Sequence, residues 1–390
     1  MRVGLFVDAY IPEINGVVTS TKTLCDALIN KGDEVYVVTT NPFSKGIMIQ
    51  DNVIRLPGLE LKKLYGYRVA KPYSKKAENI IRKLNLDVIH VQTEASIGIF
   101  GRILAKKYGI PLIYTYHTMY VDYTYYVTKG FLDPVVKGIV KKLSKALADS
   151  STELITTSDK TKSALRSYNV DQYINVIPNG IDLKKYDKTK FTKEQFDQYR
   201  KENGLEDKFL ILSLGRIAKE KSIDLCIKEY AKYLKETNDQ KTMFLIVGDG
   251  PQKEEYEKLV VDLDLMERIK FLGKVSHDET PFYYGLCDLY ISASTSETQG
   301  LTFIEAMASS LPVICQYDDN LNDVVIDGET GYFFYTENEC HKKLEQVINM
   351  SQEKREEIIN NALKNIQKYS VDIFADSVKE VYNRAIRKCW

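Results

Sequence analysis

The sequence predicts an α/β protein of two doubly wound, parallel-sheet domains. Two patterns lead there. Short runs of Val, Ile, Leu and Tyr alternate with helix-like stretches, as in a parallel sheet covered by helices on both faces. The alternation breaks once, at a polar stretch, and then starts again. In order, residues 2–7 read as a strand, 18–31 as a helix stopped by Gly32, and 34–39 as the next strand. Residues 87–92 and 111–117 are strands with a helix over 97–107 between them, and strands over 153–157 and 174–177 follow. Residues 185–203 are charged and lack an apolar period, so they read as a connecting segment. Beyond them, 209–214, 243–247, 269–272, 289–292 and 312–315 read as strands, and 221–235 as a helix. The chain ends in a helix over 371–390, with Ile373, Phe374, Val378 and Val381 at helical spacing. The expected domains are 1–182 and 205–370, with 371–390 as a closing helix. Ligands of open α/β sheets bind beyond the carboxyl ends of the strands, so a cleft between the two domains is the expected site.

Length agrees: 390 residues suit two domains at roughly 100–200 residues each. Hydrophobic residues make up 44% and charged residues 28%, a globular balance that excludes disordered and collagen-like chains. The six cysteines are scattered without a Cys-x-x-Cys pair, which points to a reducing cytoplasm and gives no metal signature. The apolar run 3–7 stops at Asp8, too short for a signal peptide. No stretch reaches the ~20 apolar residues of a membrane span. Net charge is zero overall, but residues 1–180 carry 24 basic and 16 acidic groups. A basic amino-terminal half predicts an anionic partner for it. Nucleic acid is not that partner, since no recognised nucleic-acid motif or repeated basic–aromatic pattern is present.

Four segments carry candidate chemistry. Glu297-Thr298-Gln299-Gly300-Leu301-Thr302-Phe303-Ile304-Glu305 places one carboxylate in a strand-to-helix loop and another on the second helical turn. Amides near Gly300 and Leu301 then open a helix that favours an anion. Gly215-Arg216-Ile217-Ala218-Lys219-Glu220-Lys221 follows a strand with two basic groups, a fork and a mobile point charge suited to a diphosphate. Tyr10-Ile11-Pro12-Glu13-Ile14-Asn15-Gly16 is a turn after the first strand, where Gly16 lets backbone approach a ligand. His117 ends a strand; of the other histidines, His90 reads as a core residue and His277 and His341 as surface residues. Gly248-Asp249-Gly250 lacks the third glycine of a nicotinamide-type fingerprint. Asp318-Asp319 remains a conceivable divalent-metal pair.

Taken together, these segments resemble the family 4 glycosyltransferases, which have the GT-B fold. The resemblance covers nearly the whole chain: Gly16, His117, Pro178-Asn179-Gly180-Ile181-Asp182, Gly215-Arg216 with Lys221, Gly248-Asp249-Gly250-Pro251, and Glu297 to Glu305 followed by Ala306. Within the family the chain looks most like bacterial 1,2-diacylglycerol glucosyltransferases. It departs from the usual pattern at Asn15, Thr298-Gln299 and Ser310, where many members have glycine, Gly-Phe and glycine. The resemblance implies retaining transfer of glucose from UDP-glucose to diacylglycerol, and a terminal helix that returns to the first domain. Arg216 and Lys221 would bind the diphosphate, Glu305 the ribose, Glu297 and His117 the sugar hydroxyls, and Gly16 the phosphates or acceptor. It implies no permanently bound cofactor and leaves Mg²⁺ open. Other donors (UDP-galactose, GDP-mannose), other acceptors (a glycolipid, phosphatidylinositol or a soluble sugar) and a non-catalytic nucleotide-sugar sensor remain as alternatives.

Residues 62–83 hold eight basic groups, Lys62, Lys63, Arg68, Lys71, Lys75, Lys76, Arg82 and Lys83, against the single acid Glu78. From Pro72 the segment reads as a helix, with Ala77, Ile80, Ile81 and Leu84 on one face and Lys75, Lys76, Arg82 and Lys83 opposite. The expectation is a peripheral enzyme on the inner face of the cell membrane, docked on anionic lipid. Tyr120, Tyr123, Tyr125, Tyr126 and Phe131 are expected as interfacial anchors.

Overall fold

A computed structural model of the chain describes residues 1–13, 15–43, 46–60, 68–117, 133–294, 297 and 299–389. Of the expected membrane-facing residues, Lys62, Lys63, Tyr120, Tyr123, Tyr125, Tyr126 and Phe131 lie outside the described residues. The chain divides into two compact units, Met1–Gly180 with Val371–Trp390, and Ile181–Ser370.

The first unit begins β1 (Arg2–Phe6), α1 (Gly16–Asn30), β2 (Glu34–Asn41), β3 (Met48–Gln50), β4 (Val53–Glu60), β5 (Arg68–Ala70) and α2 (Lys75–Arg82). It continues with β6 (Val88–Val91), α3 (Ser96–Tyr108), β7 (Leu112–Tyr116), α4 (Asp133–Asp149), β8 (Glu153–Thr156), α5 (Asp159–Ser167) and β9 (Ile174–Val176). The sheet path is β3-β4-β2-β1-β6-β7-β8-β9, with β5 also on β4. All of its pairings are parallel except β3 and β5 on β4. The central strands are apolar on both faces because both faces are covered. Val88, Ile89 and Val91 of β6 and Ile113 and Tyr114 of β7 are fully buried.

The second unit contains α6 (Lys193–Glu202), β10 (Phe209–Leu214), α7 (Ile223–Thr237), β11 (Thr242–Val247), α8 (Lys253–Asp262), β12 (Ile269–Gly273) and α9 (Thr280–Leu286). Then come β13 (Leu289–Ser292), α10 (Leu301–Ala308), β14 (Val313–Gln316), β15 (Tyr332–Phe334), α11 (Cys340–Ile348) and α12 (Gln352–Ile366). Its sheet order is β12-β11-β10-β13-β14-β15, parallel throughout. The expected strand–helix alternation is therefore present in both units.

Three local readings need correction. The stretch 185–203 is not a bare connection. Thr192 and Gln195 form a reciprocal capping box that starts α6, and Phe196 and Tyr199 pack against the second unit's core. Its signal was hidden because α6 is mostly charged and buries only part of one side. The helix expected from Pro72 starts later: Ser74 caps it by accepting from the Ala77 amide. The last helix, α13 (Val371–Cys389), buries Phe374, Val378 and Val381 as expected, but Ile373 is 46% exposed and Tyr382 and Ala385 complete the stripe. That stripe packs on α1 in the first unit. Burying each Val or Phe contributes about 1.5–3 kcal/mol. Lys379 to Asp33 (2.7 Å) and Arg384 to Glu153 (2.9 Å) hold its polar edges.

Helix α10 ends in a Schellman turn. The Leu311 amide donates to the Ala306 carbonyl (3.0 Å) and the Ser310 amide to the Met307 carbonyl (2.9 Å). Ser310 takes φ +61°, the left-handed region that favours glycine. Ser310→Gly should therefore raise the unfolding free energy by about 1 kcal/mol. Urea denaturation measures it, and a variant no more stable than the parent would contradict the strain at this turn.

Candidate active site

In each sheet the strand order reverses beside the first strand, and such a switch point opens a crevice at the carboxyl ends. In the second unit it lies between β10 and β13. Beyond β10 the chain passes Gly215, exposed Arg216, and buried Ile217 and Ala218, then makes a 3₁₀ turn over Lys219–Lys221. This loop is seated on the next one. The Ile217 amide donates to the Asp249 carbonyl (2.9 Å) and the Gln252 amide to the Ile217 carbonyl (3.2 Å). A Cβ on Gly248 would lie 1.8 Å from the Gly215 oxygen, and one on Gly250 would lie 2.2 Å from the Ile217 oxygen. The two glycines therefore serve close backbone approach.

Lys221 reaches across to Glu297, Nζ to Oε1 at 2.7 Å, and to Ser294 Oγ at 3.4 Å. Glu297 is 8% exposed, so it is not a solvated surface acid. The Asn320 side chain donates to the Glu297 carbonyl at 2.7 Å, which fixes the loop. Asp318 accepts from the Asn320 amide and Asp319 from the Tyr317 hydroxyl, so both are spent on their own turn. Among the described residues no group of three or more His, Cys, Asp or Glu side chains forms a metal-ligand set. Gly300 caps α10 at φ +70°, and the amides that open a helix, Leu301 first here, have no partner within it. Glu305, one turn on, accepts from the Tyr186 hydroxyl at 2.8 Å and the Tyr284 hydroxyl at 3.0 Å. Burial raises its pKa.

In the first unit the switch point lies between β1 and β6. Asp8, just past β1, accepts from Ser96 Oγ (2.7 Å), the Ile97 amide (2.9 Å) and Thr93 Oγ1 (2.6 Å), so it caps the start of α3. Arg55 of β4 pins the following turn by donating to the Ile11 carbonyl at 2.7 Å. Asn15 caps α1 by accepting from the Val18 amide at 2.9 Å. Gly16 is the first residue of α1, and a Cβ there would meet no described atom within 4 Å. Packing therefore does not demand glycine at 16. His117 stands just past β7, half-buried, with Nε2 2.6 Å from Gln92 Oε1. Burial pushes its pKa down to about 4.

Comparison with known proteins places the chain. Residues 14–185 match the model "Glycosyltransferase Family 4" and residues 195–365 the model "Glycosyl transferases group 1". It is 36% identical to the alpha-monoglucosyldiacylglycerol synthase of Acholeplasma laidlawii, over 100% of this chain and 98% of that one. The chain belongs to glycosyltransferase family 4. It is also 34% identical to the alpha-monoglucosyldiacylglycerol synthase of Streptococcus pneumoniae, over 99% of this chain and 86% of that one. Among solved structures, Anabaena HepE with UDP and glucose superposes with a TM-score of 0.71 at 19% identity, covering 98% of this chain and 100% of that one. The fold is GT-B.

The basic run of this glycosyltransferase has one feature that the sequence did not reveal. Glu78, the single acid in it, is fully buried and turned inward. It accepts from Lys107 (2.6 Å), from the Tyr73 and Tyr108 hydroxyls, and from Lys75 (3.3 Å), and these hold its carboxyl far below the usual range. Ala77 and Ile81 are buried beneath α2, while Lys71, Lys75, Lys76, Arg82 and Lys83 are exposed and Arg68 is half-buried. No helix among the described residues is long and apolar enough to cross a membrane.

The sequence missed Tyr186, Tyr284 and Asn320, which hold the two glutamates. Nothing local marks them, and Tyr186 lay in the stretch read as a connection. His341 was misread as a surface residue; it is 6% exposed and pairs with Glu229 at 2.8 Å. His90 is a core residue, as expected, at 1% exposure, and burial pushes its pKa down to about 3. Below pH ~6.5 the unfolded chain protonates His90 and the folded chain does not. Stability therefore falls as pH drops, down to the folded pKa. His90→Asn should lower the slope of unfolding free energy between roughly pH 4.5 and 6 by up to about 1.4 kcal/mol per pH unit. Equal slopes in urea titrations of the two proteins would show that His90 is not buried neutral.

Proposed function

We propose that this glycosyltransferase moves glucose from UDP-glucose to 1,2-diacylglycerol with retention at the anomeric carbon, making monoglucosyl diacylglycerol. The observation that carries the reading is full-length similarity to two alpha-monoglucosyldiacylglycerol synthases, in a chain that pairs Lys221 with Glu297 beyond β10 and β13. HepE, solved with UDP and glucose, supports a UDP-sugar donor.

On this reading Arg216 and Lys221 meet the diphosphate and stabilise the negative charge that grows as UDP leaves. The Gly300–Leu301 helix start adds backbone amides to the same anion, and Gly16 leaves the first turn open to phosphate or acceptor. Glu305, fixed by two tyrosines, accepts from the ribose hydroxyls. Glu297 and His117 orient hydroxyls of the transferred glucose. The bond from the anomeric carbon to the diphosphate breaks, and the acceptor oxygen bonds to that carbon on the same face. The acceptor proton passes to the departing diphosphate oxygen. This chemistry asks for positioning more than for side-chain basicity. The charge partners offered to the diphosphate are basic side chains, and a Mg²⁺ requirement is decided by assay with and without a chelator.

Membrane docking completes the proposal: a peripheral enzyme on the inner face of the cell membrane. With Glu78 turned inward, α2 exposes Lys76, Arg82 and Lys83, and Lys75, which donates to Glu78, is exposed beside them. Each cation near an anionic leaflet contributes about 1 kcal/mol. Helix α4 adds Ile139 (61% exposed) and Leu143 (54% exposed) beside exposed Lys141 and Lys142, a pairing suited to an interface.

A radiolabelled UDP-glucose assay with dioleoylglycerol vesicles should yield α-glucosyl diacylglycerol. Turnover only with UDP-galactose, GDP-mannose, or a glycolipid, phosphatidylinositol or soluble-sugar acceptor would replace the substrates named. Turnover with none would leave a nucleotide-sugar sensor. Arg216→Ala and Lys221→Ala should each lower kcat by about 100-fold or more. Glu305→Ala should chiefly weaken UDP binding, and Glu297→Ala should chiefly lower kcat. Equal loss of UDP affinity in both would contradict the division of roles. In a separate assay, changing Lys75, Lys76, Arg82 and Lys83 to Gln should abolish pelleting with anionic vesicles at low salt and spare UDP affinity. Continued pelleting would show that α2 is not the anchor.

A further inference from the structure

The first unit contains a hydrogen-bonded chain that the roles above do not use. It runs from α13 through three buried side chains to His117. Tyr382 Oη lies 2.7 Å from His90 Nδ1, and the two rings meet edge-to-face at 5.5 Å. His90 Nε2 lies 2.7 Å from Thr115 Oγ1 and 3.1 Å from Gln92 Nε2. Gln92 Oε1 lies 2.6 Å from His117 Nε2. Tyr382, His90 and Gln92 are 0%, 1% and 2% exposed, so water does not compete for these bonds. Together with Ser20 and Asn179, His90, Gln92, Thr115 and His117 line a small cavity in this unit.

The donor and acceptor roles follow from the way the Gln92 amide faces, here with Nε2 toward His90 and Oε1 toward His117. An amide nitrogen only donates, so His90 Nε2 is its lone-pair nitrogen and its proton sits on Nδ1, donated to Tyr382. An amide oxygen only accepts, so His117 carries its proton on Nε2. Burial keeps both rings neutral. A neutral imidazole protonated on Nε2 has its lone pair on Nδ1, and among the described residues nothing takes that nitrogen. In this setting Thr115 Oγ1 also donates to the His90 Nε2 lone pair, and Tyr382 Oη accepts from Nδ1. Gln92 is the member whose two ends differ, so its amide couples the proton position on one histidine to that on the other.

We propose that Gln92, His90 and Tyr382 are positioning residues that set the tautomer of His117, so that His117 offers Nδ1 as an acceptor to a hydroxyl of the transferred sugar. This rests on the role given to His117 above. The reverse setting, with the Gln92 amide turned over, would make Nδ1 a donor and mismatch a hydroxyl held as a donor.

Long-range ¹⁵N–¹H correlation on histidine-labelled protein reads the tautomers without any assay of activity. His117→Asn, His277→Asn and His341→Asn variants assign the signals. The expected result is a protonated Nε2 and an unprotonated Nδ1 on His117, with the opposite pattern on His90. Reversed patterns, or averaging of both nitrogens of His117 in the wild type, would overturn the relay. Gln92→Leu should release His117 to mixed tautomers and lower kcat about tenfold, with UDP affinity unchanged. Full kcat in Gln92→Leu while His117→Ala loses it would overturn the relay and leave the catalytic role of His117 standing. Full kcat in His117→Ala as well would remove that role and the relay with it.

Discussion

Everything functional in this molecule depends on strands that run in parallel. In each sheet the central strands point the same way, so each turn from strand to helix opens on the same edge. Residues far apart in sequence then arrive together without any local pattern to announce it. Lys221 and Glu297 are 76 positions apart and meet at 2.7 Å because β10 and β13 are neighbours. Gln92 and His117 meet because β6 pairs with β7. The reversal of strand order beside β1 and beside β10 opens a crevice in each unit.

Charge within this frame is handled by pairing before any ligand arrives. The Lys221–Glu297 contact joins two groups that are 30% and 10% exposed at the side chain. Removing one partner would leave the other desolvated and unpaired, which costs more than the pair contributes. On the proposed reading, a ligand bearing phosphates would compete with Glu297 for Lys221, and the pair would hold the ammonium until then. Glu305 is managed differently. Two tyrosine hydroxyls donate to it, and burial still raises its pKa. On the proposed reading, the ribose hydroxyls would be its further donors.

Much of this was legible in the sequence because it is written in local patterns. Short apolar runs marked most of the strands and helix-like stretches marked about half of the helices, and the motif at 297–305 pointed to the loop and helix that the structure shows. What was not legible has physical causes. Helix α6 is mostly charged, with Phe196 and Tyr199 too few to mark an apolar stripe, although its capping box was present in Thr192 and Gln195. Tyr186 and Tyr284 reach Glu305 from separate elements, a tertiary contact with no sequence spacing. Glu78 looked like a dilution of the basic run. Its three-dimensional partners, Lys107 and Tyr108, lie on α3 and turn it into an internal anchor. His90 was rightly placed in the core, but the apolar run around it masked a hydrogen-bonding role.

The terminal helix shows how a structural device acquires chemical consequence. α13 buries an apolar stripe on α1 and fastens its edges with Lys379 to Asp33 and Arg384 to Glu153. Those contacts alone would account for its place. Tyr382 sits within the same stripe, however, and a fully buried tyrosine must satisfy its hydroxyl. Its oxygen accepts from His90 Nδ1, and His90 can meet both Tyr382 and Thr115 only in a fixed orientation. The cost of an unpaired polar group in the core is thereby converted into order at Gln92, and from there into the proton position of His117. Packing of the last helix and the polarity of a residue at the carboxyl edge of β7 are thus one constraint, imposed by burial.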